Sequence, residues 1–220
     1  MKNVGSPRIV RSTVNDTLKW FLPDIPIRFL PSIGIPLLYI LLFHRSPMRL
    51  GLSFKDGWHQ LLLGIAIGLI MASLAIVYRI WIVGPFIVGP WLRWPTLNDQ
   101  VFQFFILVIV NAPIEEFFFR GFLLDAMTQL TGGLVWGWLI SSLAYTFYHR
   151  LGRWNWRSIG GVAIAGLVFS FLYLDQPEPR SLLLVSIVHG FTTCGFLSWG
   201  DEVTYRLLKH KSISDTSAIE

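Results

Sequence analysis

The sequence predicts an all-α polytopic membrane protein, a helical bundle of about six transmembrane or re-entrant helices, or more. Of its 220 residues, 53% are hydrophobic and only 14% are charged, whereas soluble domains carry about 25% charged residues. The apolar residues also come in runs that approach the roughly 20 residues a helix needs to cross a bilayer. The scarcity of charge and the length of the runs together favour a membrane domain over a soluble one.

Six apolar segments follow one another, separated by short polar or proline-containing stretches. They lie near Phe29–Phe43, Gln60–Trp81, Val101–Met127, Gly133–Tyr148, Ile159–Leu174 and Ser181–Trp199. The first is short and interrupted by Pro31 and Pro36, and the second continues irregularly through Pro85 and Pro90. Length and loop composition, more than periodicity, identify these segments as membrane helices.

The segments divide the chain into four predicted parts. Residues 1–28 are expected to be an N-terminal cytoplasmic or interfacial segment, and residues 29–100 the N-terminal membrane helices. Residues 101–200 form the helical core that carries the chemistry, and residues 201–220 a polar, solvated tail. Cys194 is the only cysteine, so the chain can form no internal disulfide.

Charge in the loops predicts the orientation. The net charge of +5 comes from basic residues spread over short loops rather than one patch, which argues against nucleic-acid binding. Basic loops favour the cytoplasm, so residues 1–28 and Arg150–Arg157 place both termini there. We expect the protein to lie in the plasma membrane of a bacterium. The basic residues of Arg45–Lys55 would then face outward, unless the first segment is a re-entrant or surface helix. Both arrangements remain open.

The third segment contains three charged residues, although a charge near the middle of a bilayer costs about 2.5–3.5 kcal/mol even on the lenient insertion scale. Glu116 and Arg120 are four residues apart in the favourable acid-first order, so they share a helix face and offset each other's cost. Glu115 points about 100° away from Glu116 and lacks that partner. Because a purely structural pair would not need Glu115, we interpret the cluster as a candidate site.

Two neighbours of Glu115 add to this interpretation. Asn111 lies one turn earlier on the same helix face and could hydrogen-bond the Glu115 carboxylate. Pro113 removes one backbone hydrogen bond and is expected to kink the helix. That kink has two interpretations, a free carbonyl near the site or a simple bend.

The fourth and sixth segments each present one polar stripe at spacings of three and four residues. The stripes consist of Ser142, Tyr145 and His149 in one helix, and of Ser186, His189 and Thr193 in the other. His149 is close to a basic loop and has an interfacial interpretation, whereas His189 lies about eight residues into an apolar helix. A lone buried histidine is more often structural, but an unpaired glutamate nearby favours function.

These residues suggest hydrolysis. A buried Glu115 carboxylate could act as a general base on a water that attacks a peptide carbonyl. A histidine could then stabilise the oxyanion or protonate the leaving nitrogen. The alternative is a zinc ion held by Glu115, His149 and His189, since one glutamate and two histidines are a known catalytic zinc set. No HExxH motif lies on one helix, so we favour the metal-free version, with no cofactor.

Three motifs succeed one another on these predicted helices. The first is Glu-Glu-x-x-x-Arg at Glu115–Arg120, within the run APIEEFFFRGFLL. The second is Tyr-x-x-x-His at Tyr145–His149, and the third is His-x-x-x-Thr at His189–Thr193. The first motif is specific inside an apolar helix, and the ordered set is far more specific than either histidine motif alone.

The ordered set resembles the CPBP family of intramembrane proteases, also called the ABI family, which includes the eukaryotic Ras-converting CAAX prenyl proteases. The family pattern is EExxxR, then FxxxH, then HxxxN, on successive membrane helices. Here Tyr145 stands in place of the phenylalanine and Thr193 in place of the asparagine. The resemblance covers about Val101–Trp199, nearly half of the chain.

The resemblance implies an intramembrane endopeptidase whose substrate is a membrane-associated polypeptide, CAAX-like or another peptide. The catalytic residues that it implies are Glu115, Glu116, Arg120, His149, His189 and Thr193. In this scheme Glu115 activates water, Glu116 and Arg120 structure the site, and the histidines assist.

Thr193 is where the chain departs most from the family pattern. The asparagine at this position is implied to help hold an oxyanion, and threonine is shorter, with one hydroxyl in place of an amide. The role could weaken, shift to Thr192 or Asn111, or be lost in an inactive relative.

Two other functions remain open. The first is a catalytically inactive membrane scaffold or immunity protein that keeps the fold to bind a peptide. The second is a proton-coupled carrier, because buried glutamates and histidines also serve as relays. The lack of an internal repeat disfavours the carrier.

Overall fold

The protein is described here by a computed structural model, in which residues 8–83, 91–151 and 155–217 are described. Some predictions fall outside these residues. They are the start of the 1–28 segment, the irregular stretch through Pro85 and Pro90, part of the Arg150–Arg157 loop, and the last three residues of the tail.

Helices make up nearly all of the described residues. The α-helices are α1 Val14–Phe21, α2 Leu30–Leu42, α3 Gly57–Tyr78, α4 Leu97–Phe105, α5 Ala112–Glu116, α6 Leu124–Thr131, α7 Leu134–Leu151, α8 Trp156–Leu174, α9 Leu182–Phe196 and α10 Ser198–Ser217. π-Helical segments lie at Ile25–Phe29, Arg79–Val83, Ile106–Asn111 and Phe117–Leu123, and a 3₁₀ turn at Pro47–Leu50. Two short strands, β1 Arg8–Ser12 and β2 Trp91–Pro95, pair in parallel with Arg8 opposite Trp91.

Five helical stretches of the described chain are long and apolar enough to cross a membrane. They are Val14–Leu42, Gly57–Ile82, Leu97–Thr131, Trp156–Leu174 and Leu182–Leu207. Large apolar side chains such as Leu41, Trp58 and Phe171 are exposed on their outer faces, as lipid contact requires. The predicted all-α polytopic fold is therefore confirmed. The predicted fourth segment forms α7 but is not among the five.

Helix α9 is the centre of the bundle, and small residues let its neighbours approach it closely. A Cβ added to Gly195 would lie 2.3 Å from the carbonyl oxygen of Ala72 in α3, and one added to Gly190 would lie 2.5 Å from the Cα of Val108. Such contacts between backbones are typical of membrane helices, whose packing depends on van der Waals contact. They hold His189, which precedes Gly190, at a fixed depth beside α5.

The N-terminal segment is anchored to α4 through a buried carboxylate. Asp99 is fully buried and accepts hydrogen bonds from Ser12, from Thr17 at 2.6 Å and from Gln103 at 2.9 Å. Phe21 and Phe29 pack on each other and on Ile106 next to this anchor. Helical structure thus begins at Val14, before the predicted boundary at residue 28.

Two ion pairs show how the loops and the tail are arranged. Arg49 donates to Asp125 at 2.8 Å, so the Arg45–Lys55 loop lies at the same end of the bundle as the start of α6. Arg79, with 1% of its surface exposed, donates to Asp201 at 2.7 Å. Asp201 and Thr204 are buried, so the first turns of the predicted tail pack against the bundle as part of α10.

Gly195→Ala is expected to destabilise the bundle by about 1–3 kcal/mol, because the new methyl group overpacks the contact with α3. Gly34→Ala is the matched control, since Gly34 is also helical but has nothing within 4 Å of an added Cβ. Its expected effect is neutral or slightly stabilising. Thermal unfolding of both variants in detergent measures the difference, and equal melting temperatures would contradict the close α3–α9 packing.

Candidate active site

Helix α5 is a short α-helical turn between two π-helical segments, and it carries both carboxylates. Glu115 and Glu116 are 2% and 0% exposed. Before the turn, the Ala112 N–H donates to the carbonyl of Leu107, five residues back, so the helix is already widened where Pro113 lacks its donor. π-Helical turns are frequent at functional sites, and here they aim adjacent carboxylates at different neighbours.

Glu116 is held by a cation and a histidine. Its Oε1 accepts from Arg120 Nη1 at 3.0 Å and contacts His189 Nδ1 at 2.7 Å. Arg120, fully buried, also donates to the carbonyl of Gly166 at 2.9 Å and lies over the Tyr145 ring at 4.2 Å. The predicted pair of Glu116 and Arg120 is present, and it also connects α8 and α9 to the carboxylate helix.

Glu115 is paired with an arginine that the sequence interpretation did not include. Arg28 Nη2 donates to Glu115 Oε1 at 2.5 Å, Nη1 to Asp24 at 2.7 Å, and Nε to the Tyr148 hydroxyl at 2.5 Å. In the sequence, Arg28 is one of the basic residues of the 1–28 segment that predict a cytoplasmic N-terminus. An arginine immediately before an apolar run could have been recognised as a candidate intramembrane charge.

The two histidines approach the other oxygen of Glu115. His189 Nε2 lies 3.7 Å and His149 Nε2 lies 3.9 Å from Glu115 Oε2. Glu115 Oε2 is buried and has no hydrogen-bond partner among the described residues. The structure therefore brings Glu115, His149 and His189 together, as the motif spacing predicted.

Hydrogen bonds on the far side of each ring determine which nitrogen faces Glu115. His149 Nδ1 lies 2.9 Å from the carbonyl of Tyr145, which can only accept, so Nδ1 carries the proton. His189 Nδ1 faces Glu116 in the same way. In the neutral rings, Nε2 is therefore an acceptor. Three acceptors converge on one point, and that point suits a water that has two hydrogens to donate.

Tyr145 adds a hydroxyl that the family's phenylalanine would lack. It is 2% exposed, and its oxygen lies 3.3 Å from His189 Nε2. The His189 ring is also stacked on Phe169, with 4.8 Å between centroids. Tyr145 thus brings a donor to the side of His189 that faces Glu115.

Thr193 lies one turn after His189, but its hydroxyl is hydrogen-bonded within the helix. It donates to the carbonyl of His189 at 3.0 Å, and Thr192 likewise donates to Val188 at 2.6 Å. Thr193 and Asn111 both line the same cavity as Glu115. The Asn111 side chain, the third candidate oxyanion donor, interacts with the Glu115 carboxylate one turn later, as the sequence predicted.

A cavity of about 1090 Å³ adjoins these groups. Glu115, His149 and His189 line it, and Ser198 and Asp201 line it further along α9 and α10. Its walls are mainly apolar and include Met71, Leu74, Ala75, Val162, Ala165 and Val168. A space of this size and character is typical of a binding pocket with a few polar groups.

Two observations bear on the predicted zinc ligands Glu115, His149 and His189. Within the described ranges, no three His, Cys, Asp or Glu side chains are grouped so as to hold a metal ion. Arg28 also occupies one oxygen of Glu115, and its positive charge would oppose a dication at the other.

Comparison with known protein families identifies this part of the molecule. Residues 97–195 match the family model described as "Rce1-like: Type II CAAX prenyl endopeptidase Rce1-like". Residues 97–195 are Rce1-like. The match is consistent with the CPBP family and confirms the resemblance drawn from the three motifs. No curated protein and no solved structure matches the chain.

The Rce1-like region begins with α4 and runs into α9, so it includes every residue of the three motifs. Together with the five apolar helices, this match supports an integral membrane protein. Arg28 and helices α1 to α3 lie outside the Rce1-like region.

Arg120→Gln is expected to lower the free energy of unfolding by about 3–5 kcal/mol, because it leaves the buried Glu116 without its cation. Arg206→Gln is the matched control: Arg206 forms the same i,i+4 pair with Glu202, but its side chain is 73% exposed. An ion pair whose cation is exposed to water contributes little to the free energy of unfolding. Unfolding in detergent compares the two, and similar losses would contradict a structural role for the Glu116–Arg120 pair.

Proposed function

We propose that the protein is a metal-free intramembrane endopeptidase in which Glu115 activates the attacking water. The observation that carries this proposal is the convergence of Glu115 Oε2 with the Nε2 atoms of His149 and His189 beside a large, mainly apolar cavity. The Rce1-like family supports a protease with a membrane-associated polypeptide substrate.

The water would lie between Glu115 and the histidines. It donates one hydrogen to Glu115 Oε2 and the other to a histidine Nε2, so that its lone pairs are free for a carbonyl carbon. On attack, the O–H proton passes to Glu115 as the C–O bond forms and the carbonyl oxygen becomes an oxyanion. The tetrahedral intermediate then collapses as the C–N bond breaks, and the proton that Glu115 took from the water passes to the leaving nitrogen, directly or through a histidine Nε2.

The oxyanion needs a donor beside this water. Both threonine hydroxyls are used within α9, so we assign the role to the Tyr145 hydroxyl, with Asn111 as the second donor. Fixed donors of this kind stabilise the charge that develops in the transition state. Glu116 and Arg120 act indirectly in this scheme. Glu116 orients the His189 ring through Nδ1, and Arg120 holds Glu116.

The proposed substrate is a CAAX-like or other peptide segment of a membrane-associated protein. The apolar walls of the cavity would receive apolar side chains or a lipid-like group, and the polar cluster would lie at the scissile bond. We place both termini in the cytoplasm of a bacterial cell, on the basis of the basic residues near the N-terminus and in the Arg150–Arg157 loop.

Glu115→Gln is expected to abolish cleavage of a co-expressed or reconstituted membrane-anchored peptide, because an amide cannot take the proton from water. Cleavage is measured by mass spectrometry, with Glu178→Gln, at an exposed carboxylate between α8 and α9, as the control. If the wild type binds the peptide without cleaving it, an inactive scaffold replaces the peptidase assignment.

Strong chelators are expected to leave the cleavage rate of the purified protein unchanged. The reason is that Arg28 already neutralises Glu115, where a zinc site would require the carboxylate for the metal. Loss of activity in chelator, with recovery on adding zinc, would instead support the ligand set Glu115, His149 and His189.

Tyr145→Phe is expected to lower kcat about 10–10³-fold, since loss of one oxyanion donor has effects of that order. Tyr173→Phe is the control, because Tyr173 is equally buried but packs in the core away from the cavity. In the Tyr145→Phe background, Thr193→Asn is expected to restore part of kcat by supplying an amide donor. An unchanged kcat in Tyr145→Phe would remove the hydroxyl from the mechanism.

A further inference from the structure

Arg28 reaches Glu115 from outside the Rce1-like region. It belongs to the π-helical turn Ile25–Phe29, whereas Glu115 lies 87 residues later in α5. The Arg28 side chain is 28% exposed and Glu115 is 2% exposed. Arg28 also lines the cavity that adjoins the carboxylate. The N-terminal half of the chain therefore contributes a charged group to the candidate site.

Arg28 is held in a defined orientation by two further groups. Asp24 binds Nη1 at 2.7 Å, one turn earlier, and the Tyr148 hydroxyl accepts from Nε at 2.5 Å. The guanidinium also lies 5.0 Å from the Tyr148 ring centroid. A planar guanidinium that is bound through both Nη1 and Nε has little freedom to rotate. Its Nη2 is therefore directed at Glu115.

The backbone around Arg28 is fixed independently of these charges. Phe29, the next residue, packs on Phe21 and on Ile106, and the preceding helix is tied to the buried Asp99. The position of Arg28 is therefore set by packing against α4 and the π-helical segment that leads to α5. The ion pair forms within a structure that already brings the two residues together.

Each of the two adjacent carboxylates has its own cation. Arg120 binds Glu116 and Arg28 binds Glu115, which is how two neighbouring anions can be buried in an apolar bundle. The two oxygens of Glu115 have different surroundings. Oε1 is occupied by Arg28 at 2.5 Å, and Oε2 faces the histidines with no hydrogen-bond partner among the described residues.

We propose that Arg28 is a positioning residue for hydrolysis and that the N-terminal helices complete the active site. By binding Oε1, it fixes the rotation of the Glu115 carboxylate so that Oε2 meets the water between His149 and His189. This inference rests on the proposed function, because it assigns Arg28 a role through Glu115. It predicts that residues 97–195 alone lack a group that the reaction needs.

Replacement of Arg28 tests the proposal through kcat and KM. In Arg28→Gln, kcat is expected to fall about 10²-fold, the size of effect that a misplacement of about 1 Å produces, while KM changes little. Arg28→Lys retains the positive charge but not the planar set of N–H donors that binds three partners at once, so an intermediate kcat is expected. Arg49→Gln is the matched control, since it breaks another ion pair between the N-terminal half and the Rce1-like region, and its kcat is expected to stay near that of the wild type.

Three further measurements separate positioning from stability. Tyr148→Phe removes only the hydroxyl that orients Nε, and a smaller loss of kcat is expected with an unchanged melting temperature. In Arg28→Ala, added guanidinium ion is expected to raise kcat, because the space left by the arginine side chain opens on the cavity. In a Glu115→Asp background, which keeps a carboxylate, Arg28→Gln is expected to lower kcat by a smaller factor than in the wild type, since residues that act as a unit are not additive.

The outcomes distinguish this inference from the proposed function. A fully active Glu115→Gln would overturn the peptidase mechanism itself. An inactive Glu115→Gln together with a wild-type kcat in Arg28→Gln would overturn only the role of Arg28. A kcat that falls in Arg28→Gln and Arg49→Gln alike, in step with melting temperature and without guanidinium rescue, would also overturn it by showing a purely structural effect.

Discussion

Two adjacent buried carboxylates, Glu115 and Glu116, need compensating charge before the bundle can close around them. An uncompensated ion in an apolar interior costs several kcal/mol, and neighbouring anions also repel each other. The protein meets this requirement with two arginines from different parts of the chain. Arg120 comes from the same helix and Arg28 from the N-terminal segment. Since the second pairing is long-range, compensation of the buried Glu115 charge depends on the docking of the N-terminal segment.

The other features of the site follow from how those charges are held. Glu116 Oε1 binds both Arg120 and His189 Nδ1, while its Oε2 is buried with no hydrogen-bond partner among the described residues. Glu115 retains one oxygen without a hydrogen-bond partner, and the His149 ring turns its Nε2 towards it. Adjacent residues of one motif thus have different surroundings, because helix geometry directs them about 100° apart.

Most of the fold and the core of the site could be predicted from local patterns. Length and apolarity of the runs predict helices, and spacing of four predicts the Glu116–Arg120 pair, because both depend on neighbours in sequence. Tyr145 was recognised as part of a polar stripe and as a departure from a family motif, but no role was predicted for its hydroxyl, which lies 3.3 Å from His189 Nε2. The tail was expected to be solvated, but Asp201 pairs with the buried Arg79, a contact across 122 residues that composition does not reveal.

The sequence by itself determined the helical membrane architecture, the three motifs and the helix faces on which Glu115, His149 and His189 lie. These follow from hydrophobic length and from the 3.6-residue repeat, which act within one helix. Only the tertiary structure decided that Arg28 binds Glu115 and which nitrogen of each histidine faces the carboxylate. It also decided that the Thr193 hydroxyl is hydrogen-bonded within its own helix. Those facts depend on which helices pack together and at what rotation, and that is a property of the whole bundle.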